Sequence, residues 1–102
     1  MKYTIGNLEN DISAIITELS TIRADRGKRY GTEEDTLANV RQAGGWRAAY
    51  INAFECIMRL RRMFFVPDKD INEKDFINAV SDLINYALYI RILKEADGRE
   101  DE

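Results

Sequence analysis

The residues best suited to chemistry in this chain lie on one strip of its last long helical segment. At about 100° per residue, residues 73–94 carry an apolar face of Phe76, Val80, Leu83, Ile84, Ala87 and Ile90. The opposite strip reads Asp75, Asn78, Asp82, Asn85 and Tyr89, with no Lys, Glu, Gln or Arg between Asp75 and Ile90. Asp and Asn each cost roughly 0.5–0.7 kcal/mol relative to Ala inside a helix, because their short polar groups compete for the backbone. A solvated face normally uses longer, better helix formers. A local rule broken this way is expected where a polar network or a site needs it.

The preceding segment, residues 46–65, places Asn52, Glu55, Arg59 and Arg62 on its polar side. A short turn around Pro67 makes the two segments antiparallel neighbours. With that turn centred near residues 68–69, Glu55 falls level with Asp82, Arg59 with Asn78 and Arg62 with Asp75. The two polar strips then border one groove. Glu55, Asp75 and Asp82 are the candidate ligands there for Mg²⁺, a hard cation that takes carboxylate oxygens. The competing arrangement pairs Glu55 with Arg59 or Arg62 along its own helix and gives Asp82 to a neighbouring Arg. Arg61 falls among Tyr50, Phe54 and Ile57. There it either carries its charge out to water along an apolar stem or meets an anion from the groove.

A second constellation is Arg26-Gly27-Lys28-Arg29-Tyr30-Gly31. Glycines let a backbone approach a phosphate, and Arg offers a bidentate fork, so Arg26, Lys28, Arg29 and Tyr30 join Arg59, Arg61, Asn78 and Asn85 as candidate nucleotide or phosphate contacts. The stretch lacks the G-x-x-x-x-G-K-[ST] pattern of a phosphate-binding P-loop. The plainer alternative is a helix C-cap at Gly27 with cations favoured by the helix dipole. Trp46, after Gly44-Gly45, is an aromatic anchor for a core or a stacking surface for a base.

Composition limits the chemistry. The chain has no His, which removes imidazole bases and His metal ligands. Its one Cys, Cys56, cannot form an intrachain disulfide; inside an apolar helix it reads as a small buried hydrophobe and suits a reducing, cytosolic setting. The net charge is −3. The last eight residues hold five acids against Arg99, a net −4, which leaves +1 on residues 1–94. That balance gives no strong duplex DNA signal. No stretch approaches 18 consecutive apolar residues and the start lacks a hydrophobic run, so no membrane association is expected.

At 102 residues the expectation is a single all-α domain over residues 1–94, with residues 95–102 as a frayed acidic tail. Helical periodicity predicts four segments: about 8–24 with Asn7 as N-cap, a short one at 33–43 stopped by Gly44-Gly45, 46–65, and about 72–96. The wide apolar arcs of the last two, with five Tyr and four Phe in the chain, predict a homo-oligomer.

The sequence RGKRYGTEEDTLANVRQAGGW, followed by MRLRRMF and DFINAVSDLINYALY, resembles the nucleotide-modification-associated domain family of bacteriophages and prophages. That family carries R-G-x-x-Y-G, an E-N/D-x-L-A-N-x-R run and a D-L-x-N-Y helix. It is in turn distantly similar to MazG-type all-α nucleoside triphosphate pyrophosphohydrolases. The resemblance covers residues 10–92 and marks Tyr30, Gly31, Asn39, Arg41, Trp46, Arg59, Asp82, Asn85 and Tyr86. The enzymes pair an E-E-x-x-E helix with an E-x-x-D helix, whereas this chain has Glu55 on one and Asp75 and Asp82, seven apart, on the other. The resemblance implies a phage-type nucleotide-binding protein of the bacterial cytoplasm, either a Mg²⁺-dependent pyrophosphohydrolase or a non-catalytic accessory protein. The latter would bind a host protein or sequester a signalling nucleotide.

Overall fold

The computed structural model describes residues 2–30 and 37–100, with the side chains of 26–30, 38–39 and 97–100 outside that description. Among the described residues the fold is all-α, with no strand. The helices are α1 (Ile5–Tyr30), α2 (Ala38–Ala43), α3 (Trp46–Phe64) and α4 (Glu73–Glu100), and a 3-10 turn occupies Asp68–Asp70. The chain forms two compact units, Met1–Asp35 and Thr36–Glu102.

The first unit is built on α1. Its N-cap is Thr4, not Asn7. The Asn7 N–H donates to Thr4 Oγ1 (3.1 Å), and Asn7 Oδ1 accepts from the Thr4 N–H (3.0 Å). This is a reciprocal capping box with Asn in the place of Glu or Gln. The helix continues to Tyr30, past the expected stop at Gly27. A glycine ends a helix when it takes a left-handed φ, and the only positive-φ glycines among the described residues are Gly44 and Gly45. Otherwise Gly27 only weakens the helix, by about 1 kcal/mol. The stretch read as a loop is therefore helical from Arg26 to Tyr30. The side chains of Arg26, Lys28, Arg29 and Tyr30 lie outside the described residues, as do Gly31 and the expected start of the second helix.

In the second unit, Gly44-Gly45 separates α2 from α3 as its sequence implies. Gly44 has φ 134° and Gly45 φ 67°, ψ −132°. The N–H groups of Gly44 and Gly45 donate to Arg41 O (3.2 Å) and Val40 O (2.8 Å), closing α2, while Gly45 O accepts from the Ala49 N–H (3.2 Å) and opens α3. After α3, Pro67 takes φ −56° and ψ 141°, an extended conformation that breaks the helix. Asn72 then caps α4, its Oδ1 accepting from the Asp75 N–H (3.1 Å). The helix runs on to Glu100, through residues expected to fray.

Helices α3 and α4 pack against one another along their length. The α3 side of the seam is Ala49, Ala53 and Cys56, all buried, at spacings of four and three. On α4 the buried positions are Ala79 and Leu93. Small side chains permit a close approach of the two helix axes. This face of α4 is not the apolar face read from its periodicity. Neither Ala79 nor Leu93 belongs to that face; of its six residues Val80, Leu83, Ile84 and Ile90 are half-buried, as are Asp82, Asn85 and Tyr86, while Phe76 and Ala87 are exposed. The helix is turned so that Ala79, Leu93 and, at the border, Asp82 meet α3, and part of the apolar face, Phe76 included, stays exposed. The reason is steric: Ala49, Ala53 and Cys56 form a shallow surface that a row of Phe and Ile would hold at a distance. Glu73–Ala96 is also long and apolar enough to cross a membrane by length and composition, although Asp82 near its middle is held by an Arg from α3.

The glycine corner gives a direct test. At φ 67°, ψ −132°, Gly45 occupies backbone space that other residues enter only at a cost of roughly 1–3 kcal/mol. Gly45→Ala should lower stability by that amount in a urea melt. At Gly27, inside α1, the same change should stabilise by about 0.5–1 kcal/mol.

Candidate functional site

The polar strips expected on the two long helices do meet along one edge of the α3–α4 hairpin, although not every residue on them joins. The central contact is an ion pair, Arg59 Nη1 to Asp82 Oδ2 at 3.2 Å, with both side chains about two-fifths exposed. The expected register put Arg59 level with Asn78. Side chains on a helix lean toward its N-terminus, so Arg59 reaches back to the level of Glu55, which is the level of Asp82. Exposed pairs of this kind contribute about 0–1 kcal/mol. Its value lies in orientation, because a guanidinium has five N–H donors and Asp82 fixes one of them.

Beneath the pair sits Cys56, 2% exposed. Burial pushes its thiol above the ordinary value, Asp82 pushes it further, and the Arg59 guanidinium opposes both. Tyr86 lies on the same edge. Its hydroxyl is also raised, first by burial and then by the charge of Asp82. Tyr86 and Tyr89 meet edge to face with ring centroids 6.1 Å apart. The edge thus combines one oriented cation, a carboxylate, a buried thiol and two aromatic rings.

Other candidates are placed differently. Glu55 is exposed, near enough to raise Cys56 and Tyr86 slightly. Asp75 is exposed in the first turn of α4. Glu55, Asp75 and Asp82 are not gathered: among the described residues no group of three or more His, Cys, Asp or Glu could hold a metal ion. Asn78 is exposed and Asn85 half-buried. Arg61 lies away from this edge. It lines an apolar hollow of about 420 Å³ with Ile57, Leu60, Phe64 and Phe65, so its exposed charge sits at the end of a stem laid on apolar neighbours. Trp46 is half-buried, with the Arg47 guanidinium 4.6 Å from its ring centroid. No protein-family model matches the chain, and neither a curated protein nor a solved structure matches it.

The neighbourhood of Cys56 is what the residue pattern conceals. Its signal is nevertheless present: Cys56 continues the Ala49–Ala53 row at a spacing of three, and Arg59 follows it by three more. Tyr86, singled out only by the family resemblance, is one turn beyond Asp82.

Two consequences follow for Cys56. The folded protein should resist a thiol reagent such as DTNB at pH 8, with one thiol per chain reacting after denaturation. A thiol and a phenol raised on folding stabilise the protein fully below their unfolded values. That stability is lost as the pH climbs from about 8.5 through the folded values. The denaturation midpoint should therefore fall in the alkaline range, and Cys56→Ala should remove the lower part of the decline. A midpoint unchanged up to pH 10 would contradict this.

Proposed function

We propose that this chain is a phage-type nucleotide-binding protein of the bacterial cytoplasm, working as a homo-oligomer. It holds a nucleoside phosphate on the polar edge of the α3–α4 hairpin without turning it over. The observation that carries the reading is the rotation of α4, which brings Asp82, Asn85 and Tyr86 to the α3 boundary beside Arg59. Arg59 is fixed by Asp82 at one nitrogen and offers further donors to a phosphate, for which a guanidinium is a bidentate match. Tyr86 and Tyr89 offer ring surface to a base, and Asn78 and Asn85 offer amides to its polar rim. The resemblance to phage nucleotide-modification-associated domains, and through them to MazG-type enzymes, supports the same ligand class. Arg26, Lys28, Arg29 and Tyr30 belong to the other unit, and this reading does not rest on them.

Binding is favoured over hydrolysis by the donor set. A pyrophosphohydrolase uses Mg²⁺ held on carboxylates to neutralise the phosphates. Here Asp82 is committed to Arg59, Asp75 is exposed at the start of α4, and no metal-holding group forms among the described residues. Mg²⁺ enters this reading as the counter-ion of the nucleotide. The alternative, an accessory protein docked on a host protein, would use the opposite, apolar side of the hairpin, where the large hydrophobics are exposed.

Calorimetric titration of nucleoside mono-, di- and triphosphates, with and without Mg²⁺, tests the proposal. Arg59→Ala should weaken binding about 10- to 100-fold, the range for a lost hydrogen bond to a charged group. Asp82→Asn should tighten it, because the competing carboxylate is removed while the side-chain size is kept. If no nucleotide binds, or if Arg59→Ala leaves the dissociation constant unchanged, the polar edge is not a nucleotide site.

A further inference from the structure

The charge along the polar edge is unlike that of a polyphosphate site. On α3 the edge carries Arg59 and Arg62, with Glu55 one turn before Arg59; on α4 it carries Asp75 and Asp82. All five side chains are exposed or half-buried. Two cations thus stand against three carboxylates, and Lys74, next to Asp75, brings the balance only to neutral. Among the described residues no metal-holding group offsets it. Of the two cations, Arg59 is already engaged by Asp82 at 3.2 Å. We propose, resting on the nucleotide reading of this edge, that the phosphate held here is a monoanionic diester on a single nucleoside, as in a cyclic mononucleotide, and not the chain of a di- or triphosphate.

Charge selects the phosphate. A triphosphate brings several negative charges to an edge that is already neutral or negative, with only Arg59 and Arg62 to meet them. A diester brings a single charge. Near a protein surface, one like charge a few ångströms away is enough to lower a binding constant by about 10-fold or more. The two free oxygens of a diester match the paired N–H groups of a guanidinium. Arg59 has five N–H donors, and Asp82 fixes one of them. The rings select a single base. Tyr86 and Tyr89 stand at 84° to one another with centroids 6.1 Å apart. Neighbouring bases of a stacked strand are parallel, so perpendicular rings seat one base and not two. A strand tracked along its backbone also needs a positively charged groove, which an edge of this charge does not supply. From Asp82 to Tyr86, α4 rises about 6 Å. A phosphate at Arg59 and a base at the rings are therefore within the reach of one nucleoside.

Calorimetric titration of the full chain at low salt tests it, with EDTA present so that no divalent cation masks the phosphates. For each common base, four probes are compared: the cyclic monophosphate, the monophosphate, the triphosphate and a short oligonucleotide without terminal phosphates. The cyclic nucleotide should bind tightest, and the triphosphate at least roughly 10-fold more weakly. That gap should close as salt is raised toward about 1 M, where screening is short-ranged. Glu55 is exposed, so Glu55→Gln should keep the helical circular dichroism, and by removing one carboxylate it should narrow the gap several-fold. A triphosphate that binds as tightly as the cyclic nucleotide overturns the proposal and leaves the nucleotide reading standing. So does a gap that Glu55→Gln leaves intact. An oligonucleotide that binds more tightly than every mononucleotide overturns it in favour of a strand. If none of the probes binds, the nucleotide reading fails and the proposal fails with it.

Discussion

The close approach of α3 and α4 on a row of small side chains governs everything else in the second unit. Ala49, Ala53 and Cys56 make α3 shallow on one face, and α4 has Ala79 and Leu93 fully buried. Asp82 lies half-buried at the border of the seam, paired with Arg59. Small side chains bury little area, and at about 0.8 kcal/mol per methylene-sized group the seam contributes modestly to stability. Its larger effect is to fix how α4 is rotated. That rotation sorts the surface into a polar edge and an apolar side.

On the polar edge the low polarity of the seam and the ion pair act on one another. Cys56 lies buried under the Arg59–Asp82 contact, and its thiol is held in the neutral form mainly by burial. Tyr86 is held neutral for the same reason, strengthened by the negative charge of Asp82. The charges that act on this edge are therefore the Arg59 cation and the Asp82 anion, which oppose one another, with the Glu55 carboxylate adding a weaker negative charge. A dianionic phosphate approaching Arg59 meets Asp82 as well. Any affinity for such a ligand depends on how far Asp82 neutralises the guanidinium, which makes that carboxylate a control on the edge and not a metal ligand in waiting.

Much of the fold was legible in the amino-acid pattern, because the decisive signals are local. Gly44-Gly45 divided α2 from α3, Pro67 ended α3, and Asn72 began α4 where the periodicity placed it. The errors also have local causes. Gly27 has the residue type of a cap, but a glycine without a left-handed φ does not end a helix. Asn7 has the residue type of an N-cap, but Thr4, three residues earlier, is the residue that both gives and receives the capping bonds. The Asp/Asn strip was recognised as unusual, and its meeting with Arg59 follows from the short turn. What periodicity cannot show is which face of α4 wins the contact with α3. Hydrophobicity alone selects Phe76, Val80 and Ile84; the shallow Ala–Ala–Cys surface selects Ala79 and its polar neighbours. The competition is settled by shape, and shape belongs to the pair of helices.

The same competition explains why the large hydrophobics remain outside. A helix hairpin can be stabilised by interdigitating bulky side chains at the seam, or by a tight small-residue seam that displaces the bulk to one side. The second solution separates two tasks. The seam defines the internal geometry of the hairpin and the alignment of Arg59 with Asp82. The displaced aromatic and aliphatic groups, Phe54, Ile57, Phe64 and Phe76 among them, are left to lower the free energy through whatever covers them. Burial of each is worth about 1.5–3 kcal/mol when complete, as for the fully buried Leu93, and more than Ala49, Ala53 or Ala79 can supply. The polar edge depends on the seam, since Arg59 and Asp82 are aligned only while α3 and α4 remain paired.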